Sequence, residues 1–335
     1  MKTIHKKNTT FLNLAATALL VAALVLGCNT NVSNGSEVQP EKFTVTFNVN
    51  GGNGKLTANS VIPAGGKVAK DAEITFTATA NPGYRVDTWA IAGGTIQAGG
   101  QQGDTTAKVK ITENTIVNVT FTPIVYTPVS YDNLSDHLTK TQPASDGIYY
   151  IEVTDLTESD VKGNILSDSE SPLGEILKKN KKKKVALKFG TISYGVTDMK
   201  KCFSGCTNLV QVSNIPDSIT DMWGCFAGCT KLEQVPNLPN SVTNMRYCFG
   251  GCTKLVQVTN IPDGVTDMFC CFEDCTSLTS VTLKCEYLDG KFDYAFDGCR
   301  SLSAGSIKVP ADSLDNYKDN ADKMKAKAEW FAKDE

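Results

Sequence analysis

The chain has 335 residues, 41% of them apolar and 21% charged, which is the composition of a globular protein and length enough for two or three domains. Its formal net charge of −3 excludes a surface built to neutralise a phosphate backbone, so no nucleic-acid partner is expected. With only two histidines, His5 and His137, Ser–His and Cys–His mechanisms have almost no residues to draw on.

Lys2, His5, Lys6 and Lys7 precede an uncharged, mostly apolar run over residues 11–26. Basic residues confined to the N-terminal side of such a run predict a secretory signal, and the run is short for a membrane span. Val25-Leu26-Gly27-Cys28 resembles the bacterial lipobox. That resemblance implies removal of residues 1–27, lipid on the sulfur of Cys28 and a membrane anchor, with 30 basic against 36 acidic side chains left in the mature chain. Asn29 stands where the inner-membrane-retention signal of Gram-negative lipoproteins has Asp, so the resemblance favours the outer membrane or cell surface. Residues 28–42 have little to bury and read as a flexible tether.

Over residues 43–123 the apolar period is two, as in Phe43-Thr-Val45-Thr-Phe47 and Ile74-Thr-Phe76-Thr-Ala78, and glycine pairs supply the turns. Alternation of this kind predicts half-buried strands. The phrase N-P-G-Y-R-V-D-T-W at 81–89 resembles the divergent internalin B-type repeat, a β-grasp-like, all-β module of cell-surface proteins. Tyr84 and Trp89 are either a carbohydrate platform or part of the module's core. The module is expected to be a spacer.

Residues 124–184 read as a linker and N-terminal cap: a loop over 125–145, a strand over 147–154, and a helix opening at Ser171 or Pro172 and running to about 179. Six lysines, Lys178, Lys179 and Lys181 to Lys184, lie beside that cap. They are either a solvated helix end or a site for anionic lipid, glycan or an acidic partner.

The dominant pattern occupies residues 185–310. Phe203, Phe226, Phe249 and Phe272 follow one another at 23 residues and Phe296 at 24, in the phrases CFSGCTNL, CFAGCTKL, CFGGCTKL, CFEDCTSL and AFDGCRSL. A second series, VTDM at 196, ITDM at 219, VTNM at 242 and VTDM at 265, keeps the same period, and Pro216, Pro239 and Pro262 mark a corner in three units. A unit this short cannot bury an apolar face alone, so neighbours must stack with like residues at like positions. Residues 311–335 have helix-forming composition and are expected to be a C-terminal capping helix. The F-x-G-C-x-x-L phrase, the corner proline and V-T-x-M resemble the BspA-like, treponemal-class leucine-rich repeat of bacterial surface proteins. The family usually has Ala before the Phe; here Cys202, Cys225, Cys248 and Cys271 replace it and only Ala295 keeps it. The fold class expected is therefore mixed β and α/β, a leucine-rich-repeat solenoid preceded by a small β-grasp-like all-β module.

Eleven cysteines lie beyond Cys28, chiefly in C-F-x-x-C pairs that stack from unit to unit. Export suggests disulfides, stacking suggests buried thiol columns, and four thiolates from two units could bind zinc. Cys270 and Cys285 fall off the columns and are expected to be the reactive ones. No phosphate loop, nucleophile elbow or metal-helix motif is present, so no catalytic residue, metal or cofactor is expected. A repeat does offer ladders of outward residues. Gln211, Gln234 and Gln257 form a polar strip, and Lys200, Trp223, Arg246 and Phe269 follow the Met position with Tyr247 beside them; Trp223, Arg246, Tyr247 and Phe269 are of residue types enriched at interface hot spots and are the expected partner-binding patch. The resemblance implies adhesion, with a host matrix or cell-surface protein or other bacterial cells as partner. A structural envelope protein without a host ligand and a glycan-binding accessory are the competing readings.

Overall fold

The computed structural model describes residues 40–334 except 61, 82, 168, 234, 236 and 237. The expected signal segment 1–27, Cys28 and nearly all of the tether lie outside the described residues, as does Gln234. The described chain is mostly β with a few short helices.

Alternation fixes the first sheet, because successive side chains leave a strand on opposite faces. Its strands are β1 (Lys42–Asn50), β2 (Gly54–Ala58), β3 (Lys67–Ala69), β4 (Glu73–Ala80), β5 (Tyr84–Gly99) and β6 (Thr106–Pro123). Ile74, Phe76 and Ala78 of β4, and Ala107, Val109, Ile111, Val117 and Val119 of β6, are all buried. The strand order is β2-β4-β6-β1-β3. Strand β6 takes β4 antiparallel on its first half and β1 parallel on its second, while β5 runs antiparallel along nearly its whole length. Gly54 lets the Phe121 ring sit against the backbone, since a Cβ there would lie 2.3 Å from that ring and would have to displace it. Trp89 and Tyr84 pack against the module's own core, and the Trp89 indole N–H donates to the Asp104 carbonyl at 2.8 Å. Both rings are half-buried against that core.

Beyond the module the parallel stack begins earlier than the sequence suggests. The expected loop over 125–145 contains β7 (Thr127–Ser130) and α1 (Leu134–Lys140), and β7 pairs in parallel with β8 (Ile148–Thr154). Four residues containing Pro128 show no alternation to read, and a proline is tolerated on an edge strand where its missing N–H costs nothing. The short α2 (Glu158–Val161) follows, and then α3 (Pro172–Lys179) opens with Ser171 as its cap. The Ser171 hydroxyl accepts from the Gly174 N–H at 3.1 Å and donates to the Cys202 carbonyl at 2.9 Å, tying this helix to the first repeat. Strands β9 (Lys184–Phe189) and β10 (Leu209–Ser213) complete a four-stranded parallel sheet. Arg85 joins the module to it, reaching the Asp146 carboxylate at 3.4 Å and Ser145 Oγ at 3.1 Å, while Tyr150 donates to Asp146 at 2.8 Å.

Each later unit hangs on the next through the same bonds. The N–H groups of Met199, Lys201, Phe203 and Gly205 donate to the carbonyls of Asp221, Trp223, Cys225 and Ala227, and Met222, Gly224, Phe226 and Gly228 repeat the pattern one unit on. Two backbone positions per unit are left-handed. One is glycine at 205, 228, 251 and 298 and Asp at 274, with φ between 56 and 73°; the other is Lys201, Gly224, Tyr247, Cys270 and Tyr294, with φ between 51 and 60°. Inside, Phe203, Phe226, Phe249, Phe272 and Phe296 form a column of near-parallel rings at 5.6, 5.5, 5.4 and 5.7 Å, ended by Phe189 at 6.1 Å and Phe331 at 6.3 Å.

The stack continues through β11 (Gln257–Ile261), β12 (Ser280–Leu283) and β13 (Ile307–Val309). Its end differs from the capping helix expected over 311–335: α4 (Leu314–Asp319) is six residues long, and the chain then returns as β14 (Phe331–Lys333), parallel to β13. Helical composition is outweighed there by the unpaired backbone of β13, which a strand satisfies and a helix cannot. Buried Tyr317 on α4 and Phe331 on β14 stack at 5.5 Å to close the core.

Phe249 sits mid-column and is fully buried. Phe249→Ala should lower stability by about 3–5 kcal/mol, read as a shift in the guanidinium midpoint. A shift under about 1 kcal/mol would mean that the ring column is not what holds neighbouring units together.

Candidate functional site

The aspartate or asparagine of each V-T-x-M phrase sets the outward ridge. Asp198, Asp221, Asn244 and Asp267 form a column of parallel bridges. Their Oδ1 atoms accept the N–H groups of Lys200, Trp223, Arg246 and Phe269 at 2.9, 3.0, 3.1 and 3.1 Å. The following residue takes the left-handed conformation, so each ridge side chain leaves a backbone fixed on both sides.

The structure brings Trp223, Arg246, Tyr247 and Phe269 together. Trp223 meets Tyr247 at 6.2 Å and 79°, Tyr247 meets Phe269 at 5.6 Å and 63°, and Phe269 meets Tyr294 at 5.8 Å and 60°. These are the edge-to-face arrangements that ring quadrupoles favour. Three cations lie over the rings: Lys201 Nζ is 5.4 Å from the Trp223 centroid, Lys325 Nζ 5.2 Å from Tyr294, and the Arg246 guanidinium 5.5 Å from Tyr247 and 4.0 Å from Phe269. The ridge is half-buried except at Tyr294, which is 42% exposed. Tyr294 was legible in principle, since Tyr294-Ala295-Phe296 repeats Tyr247-Cys248-Phe249, but the last unit lacks the V-T-x-M phrase that marks the ridge in the others. Lys201 and Lys325 carry no such signal.

Behind the ridge the acidic column is largely neutralised. Lys162 lies 2.9 Å and Lys200 3.3 Å from Asp198, Lys200 also lies 3.0 Å from Asp221, and Lys291 is 3.5 Å from Asp267. Burial raises the Asp198 pKa, but the Lys200 N–H and the Lys162 and Lys200 ammonium groups outweigh it and hold the carboxyl below its ordinary value. In the glutamine strip, Gln211 is half-buried on β10 and Gln257 is exposed on β11.

The lysine run at the first end of the stack is partly used internally. Lys178 pairs with Glu170 at 2.8 Å, Lys179 with Glu175 at 3.3 Å, and Lys183 lies over the Tyr149 ring at 5.3 Å. His137, on α1, lines a shallow cavity of about 390 Å3 with Ser130 and Asp136. Those three do not assemble: Asn133 donates to Ser130 Oγ at 2.7 Å, and Lys140 holds Asp136 at 2.6 Å. The Lys183 ammonium and burial both keep the imidazole below its ordinary pKa, burial being the larger effect.

Every one of the eleven cysteines among the described residues is a free, buried thiol. Cys229, Cys252, Cys275 and Cys299 donate to the carbonyls of Phe203, Phe226, Phe249 and Phe272 at 3.1, 3.2, 3.1 and 3.1 Å, which gives each thiol a structural task between units. Cys270 and Cys285 are not the reactive pair expected: they are 6% and 1% exposed, and burial above all pushes both pKa values up to about 11. No group of three or more metal-ligating side chains is found among the described residues.

Residues 187–303 match the family described as BspA type leucine rich repeat region, in six copies, and residues 43–125 match the divergent InlB B-repeat domain. No curated protein and no solved structure matches the chain.

A thiol buried away from solvent is out of reach of a reagent in solution. DTNB at pH 8 should therefore find none of the eleven in the native full-length chain, and eleven additional equivalents should react after unfolding. Fast native-state labelling of Cys270 or Cys285, located by mass spectrometry, would show that their burial is not maintained in solution.

Proposed function

We propose that this chain, which carries a BspA-type leucine-rich-repeat region behind a divergent InlB B-repeat domain, is an exported lipoprotein that works as an adhesin or protein-interaction scaffold. The repeat region is a leucine-rich-repeat solenoid, and its partner is a host matrix or cell-surface protein or another bacterial cell. The β-grasp-like module holds it away from a membrane to which lipid on Cys28 anchors the chain. No helix among the described residues is long and apolar enough to cross a membrane.

The observation that carries this reading is the ridge of Trp223, Tyr247, Phe269 and Tyr294 interleaved with cations. Recognition at protein surfaces is dominated by a few aromatic and arginine side chains, and a fixed backbone lowers the entropy lost on binding. Each contact is modest, but many copies on one cell convert weak affinity into firm attachment. Families of this repeat type serve protein interaction at cell surfaces.

Replacing Trp223, Arg246 and Phe269 together by alanine should abolish binding of the purified full-length chain to immobilised matrix proteins and to whole cells, with the melting temperature changed by only a few degrees. Undiminished binding would move the interface elsewhere on the molecule. A wild-type chain that binds neither matrix proteins nor cells, yet packs into assemblies with itself, would favour the envelope-structure reading. For the anchor, Cys28→Ser should shift the protein from the membrane fraction to the soluble fraction and abolish incorporation of labelled palmitate; unchanged fractionation and labelling would refute lipid attachment there.

A further inference from the structure

We propose that Arg246 is the anion-recognising centre of the ridge and that the segment it receives from a partner protein is acidic, a side-chain carboxylate flanked by apolar residues. This deepens the reading of the ridge as the interaction surface and rests on it.

The argument comes from comparing two cations at one position of the repeat. Lys200 and Arg246 both follow the buried methionine, two units apart. Lys200 turns toward the acidic column, where its ammonium lies 3.3 Å from Asp198 and 3.0 Å from Asp221, and its charge is used inside the molecule. In the Arg246 unit the column residue is Asn244 instead of aspartate. Its amide donates to both Asp221 oxygens at 3.1 Å, and its own Oδ1 accepts the Arg246 N–H at 3.1 Å. The unit that carries the guanidinium thus brings no carboxylate for it.

Arg246 lies instead over the rings, 4.0 Å from Phe269 and 5.5 Å from Tyr247, and makes no ion pair among the described residues. Of the carboxylates in the next unit, Asp267 takes Lys291 at 3.5 Å, and Glu273 bears on the Cys270 thiol and the Tyr247 hydroxyl. A stacked guanidinium keeps its N–H edge free, and that planar fork matches a carboxylate bidentately. The ring contact removes water from one face, which strengthens attraction at the open edge. Trp223 and Tyr294 extend the apolar surface to either side, so the complementary chain bears an acidic residue between apolar ones.

The test uses the full-length chain and three fluorescein-labelled peptides, alternating Phe with Glu, with Gln or with Lys, read by anisotropy at low and moderate salt. The Glu peptide should bind saturably, and more weakly as salt rises. Arg246→Gln should weaken it at least tenfold, on the order expected for losing a charge-assisted pair. Arg246→Lys should fall between, keeping the charge without the fork. Asn244→Asp, which restores the carboxylate found in neighbouring units, should weaken binding to a similar extent; melting curves identify a variant that fails to fold, and Arg246→Gln then carries the comparison. Equal binding of the Gln peptide, sensitive to Trp223→Ala, would overturn the carboxylate while leaving the ridge as the interface. Glu-peptide binding unaffected by Arg246→Gln and Trp223→Ala would overturn both, and no saturable binding of the Glu peptide would overturn the inference.

Discussion

The stack depends on one constraint: a unit of 23 residues has no interior of its own, so each must complete its neighbour's. Two interactions do this together. Alternate N–H groups reach the carbonyls of the next unit, and the phenylalanine of each unit lies flat against the next at about 5.5 Å. The backbone can turn tightly enough to repeat this only by entering left-handed conformations twice per unit. Four of five units use glycine at one of those positions, whereas the other, along the ridge, holds glycine only at 224 and Lys201, Tyr247, Cys270 and Tyr294 in the remaining units. Side chains held in that region at the cost of strain are a common mark of a functional surface.

The ridge therefore draws its rigidity from the core. The same aspartate or asparagine that bridges to its neighbours also accepts the N–H of the ridge residue, so stacking and presentation share one side chain. The thiol columns belong to this economy. A cysteine after each phenylalanine is small enough for the interior and supplies a weak donor to a carbonyl of the previous unit, which alanine could not. Lowering the polarity around these groups then keeps the thiols protonated and inert.

What the sequence made legible was whatever recurs. The phenylalanine column, the methionine positions, the ridge of Trp223, Arg246, Tyr247 and Phe269, and the helix opened by Ser171 and Pro172 all follow from periodicity or capping. What it concealed was structure made by single segments. Strand β7 is four residues around Pro128 and has no alternation, and β14 lies in a stretch whose composition favours helix but whose neighbour needs backbone partners. Tyr294 escaped because its unit lacks the V-T-x-M phrase that marks the ridge elsewhere, and the inertness of Cys270 because its burial arises from surrounding units. The pairing of Lys200 with aspartates and of Arg246 with rings is likewise a matter of side-chain direction, which spacing does not report.

The arrangement of β1 and β6 has a mechanical consequence. The first strand of the module and the last, which leads into the repeats, run parallel and are paired from Val45 to Asn50 against Thr115 to Thr120. Tension applied between the two ends of the module pulls these strands along their length in opposite directions, loading their hydrogen bonds in shear, all at once, where an antiparallel hairpin would unzip one bond at a time. A module wired in this way resists being drawn out along its length more strongly than a hairpin of the same number of hydrogen bonds would.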